Sequence, residues 1–442
     1  MNDSTSRYIP ADDAQRLVLH NEIHTRPSAT FGLPALLVYV AVLNSEISLA
    51  DEFAHLQQLP SHNPLNLESM RGNFLQIRCN GYKVIWERHS EFTRYTVVQA
   101  LPSHAAFGSD LPELGSHVAT GTDWLRNIPG RTITAIHLGM FNQGMDDPDA
   151  FAQAKRWLGE GTVIGAKMGR TSGGQSHSHV MTTLKVAPDG FERILVLAAP
   201  ETSENRAGRI AQRLLELETY RVMSMLSLPL AKQLTIKLAK TEVQLVDITN
   251  RLEKKVDSDE VLLNDLASLA AQVESTTAVH SFRFSAARAY DAIVRERIAE
   301  MREEPLSGMQ TVGEFMQRRL APAMATVNAT SDRLAALAER VARASALLRT
   351  RVEIAVESDN QQLLEKLTRG QALQLKLQAT VEGLSIAAIT YYVVSLILFL
   401  GKAANAGGAH INAELIAGLC TPVVLLGTWR TTQHIHSRLK DM

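Results

Sequence analysis

The 442-residue chain has few cysteines, few aromatic side chains and no excess of either charge. Its two cysteines, Cys79 and Cys420, are too few for a disulfide-stapled scaffold or a four-thiolate zinc site. Lysine and arginine total 45 against 46 aspartate and glutamate residues, so the chain lacks the basic surplus of a dedicated nucleic-acid binder. Charged residues make up 21% and hydrophobic residues 45%, a composition that excludes a disordered protein.

The short motifs of common catalytic sites are also missing. The chain contains no G-x-S-x-G, no H-E-x-x-H and no paired cysteine–histidine arrangement. The stretch M-G-R-T-S-G-G at 168–174 resembles a phosphate-binding loop, but it lacks the Lys-Ser/Thr pair that closes such a loop. We interpret its glycines, Gly169, Gly173 and Gly174, as parts of a hairpin loop. The sequence therefore predicts a protein that is not an enzyme and holds no cofactor.

Three groups of polar residues contain histidine. In each group we favour a structural role over a metal-binding or catalytic one. His177 and His179 alternate on a predicted strand and face one side, as two zinc ligands do, but no third ligand lies at metal spacing. We expect an N-terminal group to form a charged hydrogen-bond network: Asn21, Glu22, His24 and Arg26. We expect a second group on a solvated strand face: Glu87, His89 and Glu91. The sequence thus predicts no metal centre.

Two uncharged runs lie near the C-terminus. Between Glu382 and Lys402 there are 19 residues without a charge, and between Glu414 and Arg430 there are 15 more. A helix needs roughly 20 apolar residues to cross a hydrocarbon core of about 30 Å. The second run is short, but residues 403–413 contain no Asp, Glu, Arg or Lys and could lengthen it. We predict two membrane-spanning helices over 381–430, with a buried helix as the alternative for the second run.

Basic residues flank this pair of predicted spans on the outside and are scarce between them. They are Lys366, Arg369 and Lys376 before the first span, and Arg430, Arg438 and Lys440 at and after the end of the second. Positive charge stays on the cytoplasmic side, so both termini and the tail at 431–442 are expected in the cytoplasm. The polar residues 1–13 contain no cleavable export signal. The sequence predicts a multi-pass protein of the cytoplasmic (inner) membrane, with the lipid bilayer as a partner.

The sequence of residues 1–200 predicts a cytoplasmic domain of the α/β or α+β class. The dipeptide Asn80-Gly81 favours a hairpin, because both residues tolerate a positive φ. Alternating and apolar runs predict eight strands, at 33–43, 74–79, 82–88, 92–99, 131–140, 162–168, 177–186 and 191–198. Helices fit 49–58, 116–127 and 148–158.

Residues 201–380 predict a long helical, coiled-coil-like stalk. Helical runs extend over 231–255 and 259–304, and a third begins near Thr311 and continues into the first span. Apolar residues recur every seven positions in this third run, at Leu334, Val341, Leu348 and Ala355. Such spacing favours either self-association along the helix or packing onto the two preceding helices, and both can hold at once.

Four stretches of this sequence resemble one bacterial family. They are N-E-I-H-T-R-P at 21–27, W-E-R-H-S-E-F-T at 86–93, R-L-L-E-L-E-T-Y-R at 213–221 and V-E-G-L-S-I-A-A-I-T-Y-Y at 381–392. The family is described as a predicted membrane-anchored protein of unknown function, and the resemblance spans nearly the whole chain. It implies a membrane anchor but no activity, ligand or catalytic residue.

The order of the predicted parts is similar to that of the CorA class of magnesium channels. In that class an α/β domain precedes a very long helix and two spans, five chains form a funnel and the first span lines the pore. The class signature Gly-Met-Asn is absent from the outer loop, which reads G-K-A-A-N-A-G-G-A-H at 401–410. The resemblance therefore implies a homo-oligomeric organisation without the selectivity site.

Polar residues at spacings of three and four share one face of the first predicted span. Hydroxyl and carboxylate rings around an axis can partly replace an ion's hydration shell, whereas small polar residues also serve as glue between membrane helices. The candidate pore-lining residues are Glu382, Ser385, Tyr392, Ser395 and Lys402. The candidate outer-mouth residues are Asn405, His410, Asn412 and Glu414. A lysine ring at position 402 would repel cations.

Two functions follow from these patterns. The first is a CorA-like homo-oligomer that acts as a cation channel or transporter, with a divalent cation as a candidate substrate. The alternative is a membrane-anchored scaffold or regulatory protein without transport activity.

Overall fold

The structure is a computed structural model that describes most of the chain. The described residues are 13–16, 19–20, 28–60, 64–70, 72–102, 118–142, 150–169, 178–408 and 412–440. The chain divides into two compact units, residues 1–257 with 264–343 and residues 258–263 with 344–442.

A nine-stranded mixed sheet dominates the first unit. Its order is β2-β3-β4-β1-β5-β8-β7-β6-β9, and its neighbours run antiparallel except for the parallel pair β5 and β8. The strands are β1 Ala35–Leu43, β2 Phe74–Cys79, β3 Tyr82–Arg88, β4 Phe92–Ala100, β5 Arg131–Phe141, β6 Ile164–Met168, β7 Ser178–Val186, β8 Glu192–Leu197 and β9 Glu304–Pro305. All eight predicted strands are confirmed, with ends that differ by a few residues.

Eight α-helices complete the described fold. They are α1 Leu49–Leu56, α2 Thr122–Arg126, α3 Ala150–Leu158, α4 Glu204–Met225, α5 Ser227–Lys254, α6 Asp259–Met301, α7 Val312–Ala406 and α8 Ala413–Lys440. The helix predicted over 116–127 is shorter than expected, because Gly121 has φ 79° and immediately precedes the helix. Pro322 and four glycines (Gly313, Gly370, Gly383 and Gly401) lie inside α7 without ending it.

Strand β9 is the one element of the sheet that the sequence did not predict. Ala166 of β6 pairs with Pro305, and Lys167 pairs with Glu304. Proline has no N–H to donate to a ladder and is therefore confined to sheet edges, which is where β9 lies. This pairing ties the connection between α6 and α7 to the sheet.

Helix α4 packs closely against the segment that leads into β1. A Cβ atom on Gly208 would lie 1.6 Å from the carbonyl oxygen of Ala29, so only glycine allows this approach. A hydrogen bond of 2.6 Å joins the Tyr39 hydroxyl of β1 to Thr219 of α4. Both side chains are buried, so this hydrogen bond fixes the position of α4 on the sheet.

A buried ion network extends this contact from the sheet through α4 to α6. Arg94 forms a bidentate pair with Glu87, and its Nη1 lies 3.5 Å from Oε1 of Glu216. The other Glu216 oxygen accepts a 2.8 Å hydrogen bond from Arg297. Buried charges are tolerated when they are paired in this way.

The prediction of a solvated face for Glu87, His89 and Glu91 is wrong. Glu87 is 6% exposed in the network above, and the His89 ring stacks on Phe92 at 4.5 Å. Glu91 accepts hydrogen bonds from Arg283 and, at 2.6 Å, from the hydroxyl of Tyr290. Helices α4 and α6 cover this part of the sheet, and the local sequence does not reveal that cover.

The heptad of α7 is covered by the chain's own helices over much of its length. In the first unit, Arg333 of α7 pairs with Glu242 of α5, and the hydroxyls of Thr330 and Thr235 lie 3.2 Å apart. Three seam residues there are almost completely buried: Leu334, Leu337 and Val341. Of the two interpretations of the heptad, packing within the chain accounts for these residues.

A pair of carboxyl groups is buried between β8 and α4. Glu218 pairs with Arg221, while Glu192 lies 4.0 Å from the same guanidinium and hydrogen-bonds to Glu218. Burial and the adjacent Glu218 charge raise the pKa of Glu192 far above its ordinary value of 4.5. Glu192 is therefore protonated in the folded chain at neutral pH.

Replacing Glu192 with glutamine, which resembles the protonated carboxyl in shape, should remove part of the pH dependence of stability. Folded Glu192 keeps a proton that the unfolded chain releases above about pH 4.5. Its contribution is therefore complete below that pH and is lost as the pH rises towards the folded-state pKa, by up to about 1.4 kcal/mol per pH unit. We expect Glu192→Gln to unfold at a higher temperature than the wild type at pH 8, with a gap that closes towards pH 4.5.

Thermal unfolding of the full chain in detergent, followed by circular dichroism across this pH range, measures the effect. Glu253→Gln is the control, because Glu253 is exposed near the end of α5. A gap that does not change with pH would contradict the assignment.

Candidate functional site in the C-terminal helices

The second unit contains two helices that are long and apolar enough to cross a membrane. One is the C-terminal part of α7, and the other is Ala413–His434 within α8. In the most apolar 18-residue stretch of each helix, only 6% of the residues are buried in the chain. The alternative of a buried helix for the second run is therefore not supported, since the core helix of a soluble protein is mostly covered.

Four small residues lie where these two helices meet. The hydroxyls of Thr390 and Thr428 lie 3.0 Å apart, and Thr390 is 6% exposed. Gly401 faces Ala413 so closely that a Cβ atom at position 401 would lie 2.9 Å from the Ala413 Cβ. Small residues that allow close approach, with hydroxyls bonded across helices, are typical of membrane helix pairs. None of these four residues was among the candidate residues predicted from the sequence.

The predicted pore-lining residues lie mostly on the other side of α7. Tyr392 and Phe399 are 71% and 70% exposed, and Ser385 is also exposed, whereas Ser395 is half-buried. The Ser385 hydroxyl donates a 2.8 Å hydrogen bond to the carbonyl of Val381, which leaves its oxygen lone pairs free to accept. The face with these side chains is directed away from α8.

The remaining candidates of this set flank that face at its two ends. Glu382 is half-buried and lies one turn before Ser385. Lys402 is exposed and follows Phe399 by three residues and Ser395 by seven, so it shares their side of the helix. Lys402 therefore lies on the side of the helix that its spacing in the sequence predicts.

Two of the four outer-mouth candidates, Asn412 and Glu414, lie at the start of α8 and stabilise its first turn. Asn412 precedes α8, and its Oδ1 accepts a 3.4 Å hydrogen bond from the Leu415 N–H, as an N-cap does. Glu414 is exposed in the first turn of α8, where the helix dipole favours an acidic side chain. Asn405 is exposed near the end of α7. His410 lies outside the described residues.

Several residues weighed in the sequence lie outside the described part of the chain. They are Asn21, Glu22, His24, Arg26, Gly173, Gly174 and His177. His179 lies on β7 opposite Leu197, and Gly169 follows the end of β6 with φ 88°. Among the described residues, no group of three or more His, Cys, Asp or Glu side chains could hold a metal ion.

Comparison with known proteins identifies the family. Residues 11–439 match the family described as "Protein of unknown function (DUF3422)". The chain belongs to this family. No curated protein matches this member of the family.

One solved structure, that of the full-length CmaX protein, is similar to this chain, with 13% sequence identity. The match covers 69% of this chain and 89% of that chain with a TM-score of 0.18. At that TM-score the similarity supports no argument about fold or function.

The close approach at Gly401 predicts that a larger side chain at this position separates the two helices. Gly401→Leu should push α7 and α8 apart, because its side chain would collide with Ala413. Gly383→Leu is the matched control, since a Cβ there meets nothing within 4 Å. Disulfide formation between cysteines placed at Thr390 and Thr428, with Cys79 and Cys420 replaced by serine, reports the helix separation.

We expect rapid cross-linking in the parent and in Gly383→Leu, and a rate several-fold lower in Gly401→Leu. Equal rates in the two leucine variants would show that the helices do not meet at Gly401.

Proposed function

We propose that this protein is a membrane-anchored homo-oligomer whose first spanning helices surround a path for cations. The observation that carries the proposal is the long face of α7 that the chain leaves uncovered. This face begins in the stalk and continues without a break into the first span.

Every residue of the stalk from 353 to 381 is exposed in the single chain. Leu363, Leu367, Leu377 and Val381 lie on one side of the helix, at a spacing that matches 3.6 residues per turn, and are between 55% and 68% exposed. Isolated helices are marginal in water, and each fully buried leucine contributes roughly 1.5–3 kcal/mol. These four residues form the apolar stripe of α7. A second copy of the chain can cover the stripe, because it presents the same four residues.

The same side of α7 carries Ser385, Ala388, Tyr392, Ser395 and Phe399 further along. If the stalk stripes meet at an axis, these residues meet there too, and α8 lies on the outside. Rings of hydroxyl oxygens can partly replace the hydration shell of a cation. The lone pairs of Ser385 are available for this purpose, since its proton is directed to the Val381 carbonyl.

The charges around the two spans support an orientation with both ends in the cytoplasm. Lys366, Arg369 and Lys376 precede the first span, and Arg430 lies near the end of the second. The described part of the connecting segment contains Lys402 and Glu414. The orientation follows from the positive-inside rule and makes this a multi-pass protein of the inner membrane.

A second candidate function is a membrane-anchored scaffold without transport. Lys402 favours it, because a ring of ammonium groups on the pore side would raise the barrier to cations. The capping role of Asn412 favours it as well, since that role explains the residue without an ion.

The stripe predicts which stalk leucines stabilise the oligomer. Leu367→Asn with Leu377→Asn places two polar groups in the interface and should shift the oligomer towards monomer by tenfold or more, at roughly 1.5–3 kcal/mol per buried leucine. Leu364→Asn with Leu375→Asn is the matched control, because these equally exposed leucines lie off the stripe. Native mass spectrometry of the full chain in detergent over a dilution series measures the distribution. An equal effect of the two pairs would contradict the interface.

The cation path predicts opposite effects of two substitutions. Lys402→Asn should increase cation flux into proteoliposomes by removing the repulsive ring, and Ser395→Leu should abolish it by closing the path with apolar bulk. Val393→Leu adds bulk to the flank of the same helix and should leave the flux unchanged. Fluorescent indicators for magnesium, cobalt and potassium inside the vesicles give the rates. Wild-type and Lys402→Asn vesicles that both stay impermeable would end the channel proposal and leave the scaffold.

A further inference from the structure

A cavity of about 370 Å³ opens in the first unit between the end of β6, the beginning of α4 and the end of α6. Four arginines line it: Arg206, Arg209, Arg213 and Arg302. A single carboxylate, that of Glu300, lines it with them. The excess of positive charge sets this cavity apart within a chain that is nearly neutral overall.

The carboxylate of Glu300 does not neutralise the cavity. It lies 3.3 Å from Arg213, and it also accepts a 2.9 Å hydrogen bond from Arg297, which is outside the lining. Arg209 and Arg302 form no ion pair with any described carboxylate. Gathered like charges repel one another, and a bound anion relieves that repulsion.

Regular structure fixes the positions of three of these arginines. Arg206, Arg209 and Arg213 follow the i, i+3, i+7 spacing of one helix face on α4. The Gly208 contact with Ala29 holds that helix against the domain. The Arg206 guanidinium reaches the end of β6, where a Cβ on Gly169 would lie 3.3 Å from its Nη2.

The fourth arginine occupies a position that normally takes glycine. Arg302 follows the last residue of α6 with φ 47°, in the left-handed region, and its N–H lies 3.3 Å from the Ala299 carbonyl. Glycine is the common residue at such a helix end, because it has no Cβ to clash. Arg302 therefore presents its guanidinium at the rim of the cavity from a left-handed backbone conformation that disfavours residues with a Cβ.

The floor of the cavity is apolar. It contains Met168, Ile210 and Met301, all of which are buried. Ligand cavities typically combine an apolar surface with a few charged groups that orient the ligand. Arginine is suited to phosphate, since its planar guanidinium donates two parallel hydrogen bonds to phosphate oxygens.

We propose that this cavity binds a small soluble phosphorylated molecule, a diphosphate or a phosphate monoester. Its phosphate oxygens accept hydrogen bonds from Arg209 and Arg302, together with Arg206 and Arg213. Its organic part lies on the methionine and isoleucine floor. This site is independent of the proposed cation path, because it involves only residues of the first unit.

Calorimetric titration of the full chain in detergent tests the proposal, with inorganic pyrophosphate and ADP as separate probes. Both should bind the wild type, and ADP more tightly if its organic part reaches the floor. Citrate, an anion without phosphorus, should bind at least tenfold more weakly than pyrophosphate, because its carboxylates do not match the tetrahedral spacing. Failure of both phosphate probes, or equal binding of citrate, would overturn the proposal.

Two substitutions separate binding from folding. Arg209→Gln and Arg302→Gly should each weaken pyrophosphate binding roughly tenfold, since each removes charge-assisted hydrogen bonds. Arg302→Gly also relieves the left-handed strain, so without a ligand it should unfold at a temperature no lower than that of the wild type. Arg318→Gln, on an exposed position of α7 away from the cavity, should bind like the wild type. Unchanged binding in Arg209→Gln and Arg302→Gly would contradict the site.

Discussion

The apolar stripe of α7 needs cover that the chain itself does not supply. As far as Leu348, the side of α7 that faces inward is buried in the single chain. In the second unit Arg351 forms a 3.0 Å ion pair with Asp259, and the stalk is exposed from residue 353 onwards. A helix with leucines on one side cannot leave them in water without losing the hydrophobic contribution that a partner would restore. In the homo-oligomer that we propose, other copies of the chain cover this stripe, and the polar face of the first span would then lie at the common axis.

The ion network of the N-terminal domain rests on two stretches of sequence that meet in space. W-E-R-H-S-E-F-T at 86–93 supplies Glu87 and Glu91, and R-L-L-E-L-E-T-Y-R at 213–221 supplies Glu216 and Thr219. Arg94 pairs with Glu87 and Glu216, and Arg297 of α6 also binds Glu216. Arg283 and Tyr290 of α6 bind Glu91, whereas Thr219 hydrogen-bonds to Tyr39 of β1. The long motifs therefore have a structural explanation in a buried charged contact.

Local patterns were sufficient for most elements of the fold. Alternation and the Asn80-Gly81 turn predicted the strands, and uncharged length predicted the two apolar helices. What failed depends on distant contacts: Glu91 looks like a surface residue until Tyr290, far along the chain, is placed against it. Strand β9 was missed for the same reason, since Pro305 alone indicates only the end of a helix. Helical spacing correctly placed Ser385, Tyr392 and Lys402 on one side, but Thr390 and Gly401 become significant only once α8 packs against them.

Cysteine scanning of the stalk in native membranes tests the central claim most directly. Single cysteines at positions 376–385, in a chain whose Cys79 and Cys420 are replaced by serine, are oxidised and the cross-linked dimer is quantified on gels. If the stripe faces other copies, the yield should oscillate with the 3.6-residue period of a helix. Maxima are expected at Leu377, Val381 and Leu384, and minima at Ala379 and Gly383. Maxima on the opposite side of the helix, or no cross-linking at any position, would contradict the account.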